Sequence, residues 1–289
     1  MTKTIRHFWV AAALGLASLT AWPQSWVKLP FDTGAGTPVQ QVEGVLRKPA
    51  GTPNGHALLI LHHGGGFSFN TTQQYGEFFA QRGFVTLELK MFDVTSAAPP
   101  PLVLRGHMMG GLKYLAQMPG IQQVSAMGMS LGSFLTIDAT SSWFYNHYQA
   151  GDLRFHKLVA LYPVCWFYSE AVQGKAADIR IFTGMPSDHF QRLEGIPLLI
   201  LAAGRDSYDA LDANACPDFV KRIPDPKQAE RTQVVVYPEA THAWDHGRNY
   251  SFPVRGGCKG RSDCTNHIIS SPDTVEKGKQ ATLGFLLEK

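Results

Sequence analysis

Apolar residues fall into short runs that alternate with segments of helical spacing. Six runs are apolar almost throughout: His56–His63 (HALLILHH), Phe84–Lys90 (FVTLELK), Gln122–Gly128 (QQVSAMG), Lys157–Val164 (KLVALYPV), Ile196–Gly204 (IPLLILAAG) and Thr232–Pro238 (TQVVVYP). Runs this short and continuous read as strands buried on both faces. Helical spacing occupies Gln73–Gly83, Leu102–Gly120, the stretch following Ser130, about Leu211–Arg222 and about Thr274–Leu287. Gly83 and Pro119-Gly120 are stop signals, whereas Gly110-Gly111 weakens the second helix. The alternation predicts an α/β chain: a mostly parallel, doubly wound sheet with helices on both faces. "VEGVLRKP", within residues 26–50, predicts an antiparallel edge at the start of that sheet. No internal repeat and no separating linker interrupts the pattern, so residues 26–289 read as one domain.

The N-terminus departs from this pattern. Lys3, Arg6 and His7 precede fourteen uncharged residues, Phe8–Ala21. That run is short for a membrane span and suits the core of an export signal. Residues 1–25 therefore read as a signal peptide cut between about Thr20 and Ser25. A buried N-terminal helix and a retained anchor are the alternatives. The expected protein is periplasmic or secreted, with no stable membrane anchor after cleavage.

Export changes the meaning of Cys165, Cys216, Cys258 and Cys264, which would meet an oxidising compartment. Cys258 and Cys264 are close enough for a local bridge, leaving Cys165–Cys216 as the second. Four cysteines allow three connectivities, and spacing does not choose among them. The spacings match no zinc signature. A formal net charge of +3 without a basic stripe argues against nucleic acid as a partner. The oligomeric state is not legible.

Gly128-Met129-Ser130-Leu131-Gly132 spells G-x-S-x-G. Chance alone would give roughly 0.15 such matches in a chain of this composition, so context has to decide. The context is a strand before the serine and a helix after it. A sharp turn there lifts the hydroxyl clear of the sheet edge, and the two glycines leave room for close backbone contacts. A serine hydroxyl needs a base, and the base needs an orienting acid. Asp206 follows the strand "LLILAAG", and His242 follows "VVVYP". The chain order Ser130, Asp206, His242 fits this type of turn. Asp209 is the alternative acid, His246 the alternative base, and Asp245 is expected to point elsewhere. An oxyanion hole is expected from the backbone N–H of Leu131 and that of Gly65, with Gly64 and Gly66 as alternatives. His62 and His63 are expected to hold that loop through backbone hydrogen bonds. Phe67, Phe92, Trp166, Phe167 and Trp244 lie near strand ends and are candidates for touching substrate.

"YPEATHAWD" around His242 and "PLLILAAGRDS" with Cys216 beyond it resemble the dienelactone hydrolase-like branch of the α/β-hydrolase family. "LKYLAQMPGI" and "LILHHGGG" are similar to it as well. The resemblance spans residues 42–289 and implies the α/β-hydrolase fold and a nucleophile–His–acid triad. The founding dienelactone hydrolases carry Cys at the nucleophile position. Ser130 leaves the triad chemistry intact and puts dienelactone itself in question as substrate. The combined reading is an exported serine hydrolase acting on a small carboxylic ester, with thioester and lactone as related options. It needs no metal or organic cofactor. A peptidase or amidase, and a catalytically silent binding protein on the same fold, are the competing readings.

Overall fold

The computed structural model describes residues 24–288. The segment read as an export signal therefore lies, up to residue 23, outside the described residues. Eight strands form one sheet: β1 (Gln24–Phe31), β2 (Gln40–Arg47), β3 (His56–Leu61), β4 (Val85–Lys90), β5 (Gln123–Met129), β6 (Leu158–Leu161), β7 (Leu198–Ala203) and β8 (Thr232–Tyr237). Their spatial order is β1-β2-β4-β3-β5-β6-β7-β8. All neighbours from β4 to β8 run parallel. β1 and β2 add an antiparallel edge, as "VEGVLRKP" predicted.

The sequences of β3 to β7 follow from burial on both sides, whereas β8, an apolar run expected to be buried likewise, is an edge strand and only partly buried. Side chains alternate across a strand, so neighbours such as Leu58 and Leu59 enter different layers. A sheet face covered by helices leaves no polar half to the alternation, and the strands read as continuous apolar runs. Each fully buried Leu or Ile contributes about 1.5–3 kcal/mol.

Eight helices accompany the sheet among the described residues: α1 (Phe69–Ala80), α2 (Pro101–Ala116), α3 (Leu131–Asp138), α4 (Ser142–His147), α5 (Cys165–Glu170), α6 (Ala215–Lys221), α7 (Pro226–Glu230) and α8 (Pro272–Leu287). Residues of α2, α3 and α6 pack into one layer, and α1 and α8 into the other. α2 runs unbroken through Gly110-Gly111, which the sequence marked as a weak point. A Cβ at Gly110 would lie 2.7 Å from the Pro30 carbonyl oxygen, and one at Gly111 would lie 2.7 Å from Leu59. The helix gives up propensity there to lie close on β1 and β3. α8 is tied at its end by Lys157, whose Nζ donates to the carbonyls of Phe285 and Glu288, each at 2.6 Å. A cation suits free carbonyls at a helix C-terminus.

Two features carry no periodic signal in the sequence. Short helical turns fill residues 171–191 between α5 and β7. A separate antiparallel hairpin, β9 (Tyr250–Cys258) with β10 (Ser262–Ile268), follows β8. β9 is mostly exposed, and β10 alternates in burial but places the polar Asn266 inward, so neither shows the apolar alternation that marks a half-buried strand. Two disulfides are formed: Cys258–Cys264 within the hairpin, and Cys165–Cys216 joining the starts of α5 and α6. No helix among the described residues is long and apolar enough to cross a membrane.

Candidate active site

Ser130 stands alone between β5 and α3, at φ +50° and ψ −106°. A non-glycine residue at positive φ is strained, and surrounding structure has to hold it there. The two flanking glycines explain how. A Cβ on Gly128 would strike the backbone of Gly132, and a Cβ on Gly132 would strike the carbonyl of Leu61. The Ser130 amide donates to Leu161 O at 3.1 Å, and its carbonyl accepts from the Ser133 amide at 2.9 Å and from the Ser133 hydroxyl. The turn is thus pinned to β6 on one side and to the first turn of α3 on the other.

Ser130 Oγ lies 2.8 Å from His242 Nε2. His242 Nδ1 lies 2.7 Å from Asp206 Oδ2. Asp206 and His242 are buried while Ser130 is half-buried, so the hydroxyl is the accessible end of the chain of contacts. Asp206 follows β7 and His242 follows β8, which places all three residues at one edge of the sheet. The second Asp206 oxygen accepts the Tyr208 amide at 2.9 Å. The rings of Tyr208 and Tyr162 flank the imidazole at centroid distances of 4.7 and 5.1 Å.

The alternatives are occupied elsewhere. Asp209 accepts the amides of Cys165 (2.9 Å) and Trp166 (2.8 Å) and so caps the start of α5. Burial, followed by the nearby Asp206, raises its carboxyl, while the two amide hydrogen bonds favour the ionised form. His246 Nδ1 contacts the Tyr250 hydroxyl at 2.7 Å. Burial, then His242, pulls its ring down to about 4. Asp245 points away from the serine, as expected, into a buried cluster that the sequence did not reveal. It accepts the hydroxyls of Tyr75 (3.0 Å) and Tyr162 (2.7 Å). Burial raises its carboxyl, while the two phenol hydrogen bonds favour the ionised form. The cluster ties the His242 loop to α1 and to the end of β6. Those pairs are 170 and 83 residues apart, so no local signal could have shown them.

The loop after β3 corrects one expectation. The Gly65 amide donates to His63 Nδ1 at 2.9 Å and is not free for an oxyanion. The Gly66 amide turns back to the His63 carbonyl at 3.3 Å. Gly64 is the glycine facing Leu131, since a Cβ there would sit 3.8 Å from the Leu131 Cβ. Among the described residues the amides of Gly64 and Leu131 have no protein acceptor. His62 holds the loop as expected, Nδ1 contacting its neighbour's carbonyl at 2.8 Å and Nε2 accepting the Met91 amide at 3.2 Å. Both rings sit low, His62 at about 4 and His63 at about 3, chiefly through burial.

A cavity of about 780 Å³ opens beside Leu131. Trp166 and Phe167 line it. The other aromatic candidates do not. Trp244 is fully buried against Tyr162 and Tyr237, and Phe67 and Phe92 pack around the His62 ring. The one group of three metal-type ligands among the described residues is Cys165, Asp209 and Cys216. Its sulfurs are bonded to each other, so it offers no thiolate, and its carboxylate holds two amides.

No family model matches the sequence, and no curated protein matches it. Solved structures do match in shape. Dienelactone hydrolase from Anabaena variabilis superposes with a TM-score of 0.53 at 14% identity, covering 91% of this chain and 97% of that one. Est1E from Butyrivibrio proteoclasticus, with ferulic acid bound, gives 0.57 at 14% identity, over 86% and 96%. Esterase 2 from Thermogutta terrifontis, phosphorylated by paraoxon, gives 0.60 at 14% identity, over 86% and 89%. The chain therefore has the α/β-hydrolase fold, similar in structure to dienelactone hydrolases and esterases.

Proposed function

We propose that this chain is a carboxylic ester hydrolase working by two-step acyl transfer on Ser130. The observation that carries the reading is the unbroken line of hydrogen bonds from Ser130 Oγ through His242 to Asp206. Ser130 Oγ attacks the ester carbonyl carbon while His242 Nε2 takes the hydroxyl proton. The carbonyl oxygen becomes an oxyanion held by the amides of Leu131 and Gly64. One such donor is worth about 3–4 kcal/mol in the transition state. The intermediate collapses, His242 returns the proton to the leaving alcohol, and the acyl group stays on Oγ. Water, deprotonated by His242, then releases the acid and restores Ser130. Asp206 keeps the proton on Nδ1 and stabilises the imidazolium formed in each step. The machinery consists of side chains and backbone amides alone. Thioesters and lactones present the same carbonyl chemistry.

The esterases among the fold relatives support the choice of bond, and ferulic acid bound to one of them supports a small organic substrate. The charged-then-apolar N-terminus and the two disulfides support export of a single domain.

A fluorophosphonate probe tests the reading directly. Folded protein should be labelled once, Ser130→Ala should abolish labelling, and p-nitrophenyl esters should be turned over. A folded protein that resists the probe would mean a silent binding protein. Faster cleavage of matched amides than of esters would mean a peptidase or amidase.

A further inference from the structure

The cavity beside Leu131 is large for ester chemistry alone. At about 780 Å³ it is in the range that encloses a drug-sized ligand. Its walls include the apolar side chains of Leu104, Leu131, Phe134, Trp166 and Phe167. Its lining also holds three arginines, Arg180, Arg255 and Arg261, against one acid, Asp178. Arg180 comes from the helical turns between α5 and β7, and Arg255 and Arg261 come from the β9–β10 hairpin. Two separate segments thus bring positive charge to one apolar trough.

These cations have little other work. Arg255 pairs with Asp263 at 2.9 Å, with side chains 87% and 58% exposed. Arg261 pairs with Glu170 at 3.3 Å and is half exposed. Exposed pairs of this kind are worth about 0–1 kcal/mol, so a carboxylate entering the cavity displaces them at small cost. The Arg180 side chain has no acidic or hydrogen-bonding partner among the described residues. The oxyanion is served by backbone amides, which leaves the guanidinium groups to meet a different part of the substrate. A planar guanidinium takes a carboxylate through two parallel hydrogen bonds.

We propose, resting on the ester-hydrolase reading, that the substrate is an ester with an extended apolar arm ending in a carboxylate. The arm lies along the trough from Leu131, and its carboxylate meets Arg180, with Arg255 and Arg261 beside it. Half-esters of dicarboxylic acids and esters of long hydroxy acids are the compounds of this class.

Two matched pairs of substrates test it. One is p-nitrophenyl octanoate against the p-nitrophenyl half-ester of octanedioic acid. The other is octyl acetate against 8-acetoxyoctanoate. The charged member of at least one pair should have a kcat/KM about tenfold higher, as a charge-assisted hydrogen bond predicts. Added salt should shrink that preference. Arg180→Gln should bring the charged-to-neutral ratio toward one, and Arg180→Glu should invert it. A ratio is read, so a general loss of activity cannot imitate the effect. Equal kcat/KM within both pairs, or a preference that survives both Arg180 variants, overturns the charged arm while fluorophosphonate labelling upholds the hydrolase. Absence of labelling and of all turnover overturns the hydrolase reading itself.

Discussion

Asp206 and Asp209 are both buried to 2% exposure, three residues apart after β7, and their amide variants should behave oppositely. In Asp206→Asn, Oδ1 can keep the Tyr208 amide, which puts the new NH2 group against His242 Nδ1. Two donors cannot face each other, so the imidazole moves its proton to Nε2. The lone pair that accepts the Ser130 proton is then gone. Loss of the correct tautomer in such a triad costs about 10⁴ in rate with the geometry intact. In Asp209→Asn, one oxygen can still accept an amide, but the other amide, of Cys165 or Trp166, meets a donor. Leaving a buried N–H unpaired costs about 1–3 kcal/mol. Removal of a charge beside Asp206 offsets part of this, leaving a net loss of about 1–2 kcal/mol. That corresponds to a fall of about 2–8 °C in Tm for a chain of this size. The assay is the fluorophosphonate labelling rate alongside a thermal melt of each variant. Asp206→Asn should keep its Tm and lose labelling, while Asp209→Asn should keep most labelling and lose Tm. Abolished labelling in a well-folded Asp209→Asn protein, with Asp206→Asn still reactive, would refute the assignment of the acid.

Gly132→Ala forces a Cβ against the Leu61 carbonyl, so it should cost about 1–3 kcal/mol and displace Ser130; a normal melt and labelling rate would contradict the tight turn. His107 is buried beside Phe31 with no partner for Nδ1 among the described residues, and burial first, then His62, holds it at about 4. Unfolded, it takes a proton near 6.5, so the folded state is whole above that pH and loses stability as pH falls toward 4. At pH 5 this single group costs about 2 kcal/mol. Urea titrations should therefore show His107→Leu gaining about that much on wild type between pH 7.5 and pH 5, and a pH-independent difference would count against it. The disulfides close loops of different length, 51 and 6 residues apart in sequence. Chain entropy then predicts a loss of about 4 kcal/mol for a Cys165→Ser/Cys216→Ser variant and about 2.4 kcal/mol for Cys258→Ser/Cys264→Ser. Chemical denaturation of both variants measures this, and the reverse order would disprove it.

The sheet was legible because its inner strands, β3 to β7, are buried on both faces and so lose the polar half of their alternation. The candidate site was legible where it depends on that sheet. Ser130, Asp206 and His242 each follow an apolar run, and parallel strands put their ends at one edge. Other assignments depend on hydrogen bonds that spacing does not carry. Gly65 and Gly64 are equivalent as letters, and only the His63 ring, which takes the Gly65 amide, tells them apart. Asp206 and Asp209 differ only in what their oxygens meet. Trp244 follows the His242 position closely, yet Ala243 at φ +54° turns the chain so that the indole enters the core.

Reaction and selectivity are encoded differently in this chain. The residues proposed for bond cleavage follow strand ends, and the strand patterns reveal them. The cavity takes part of its apolar wall from α2, α3 and α5, but the rest comes from the proline run before α2, from the turns after α5 and from the hairpin after β8, and these have no apolar period. What fixes those walls is cross-linking and long-range bonding. Cys165–Cys216 holds the start of the helix that bears Trp166 and Phe167, and Cys258–Cys264 closes the hairpin that bears Arg255 and Arg261. Trp166 Nε1 then joins the two parts through the Gly257 carbonyl at 3.3 Å. The two disulfides thus also shape the space a substrate would enter. Loss of either bridge should therefore change which ester is preferred more than how fast a small one reacts.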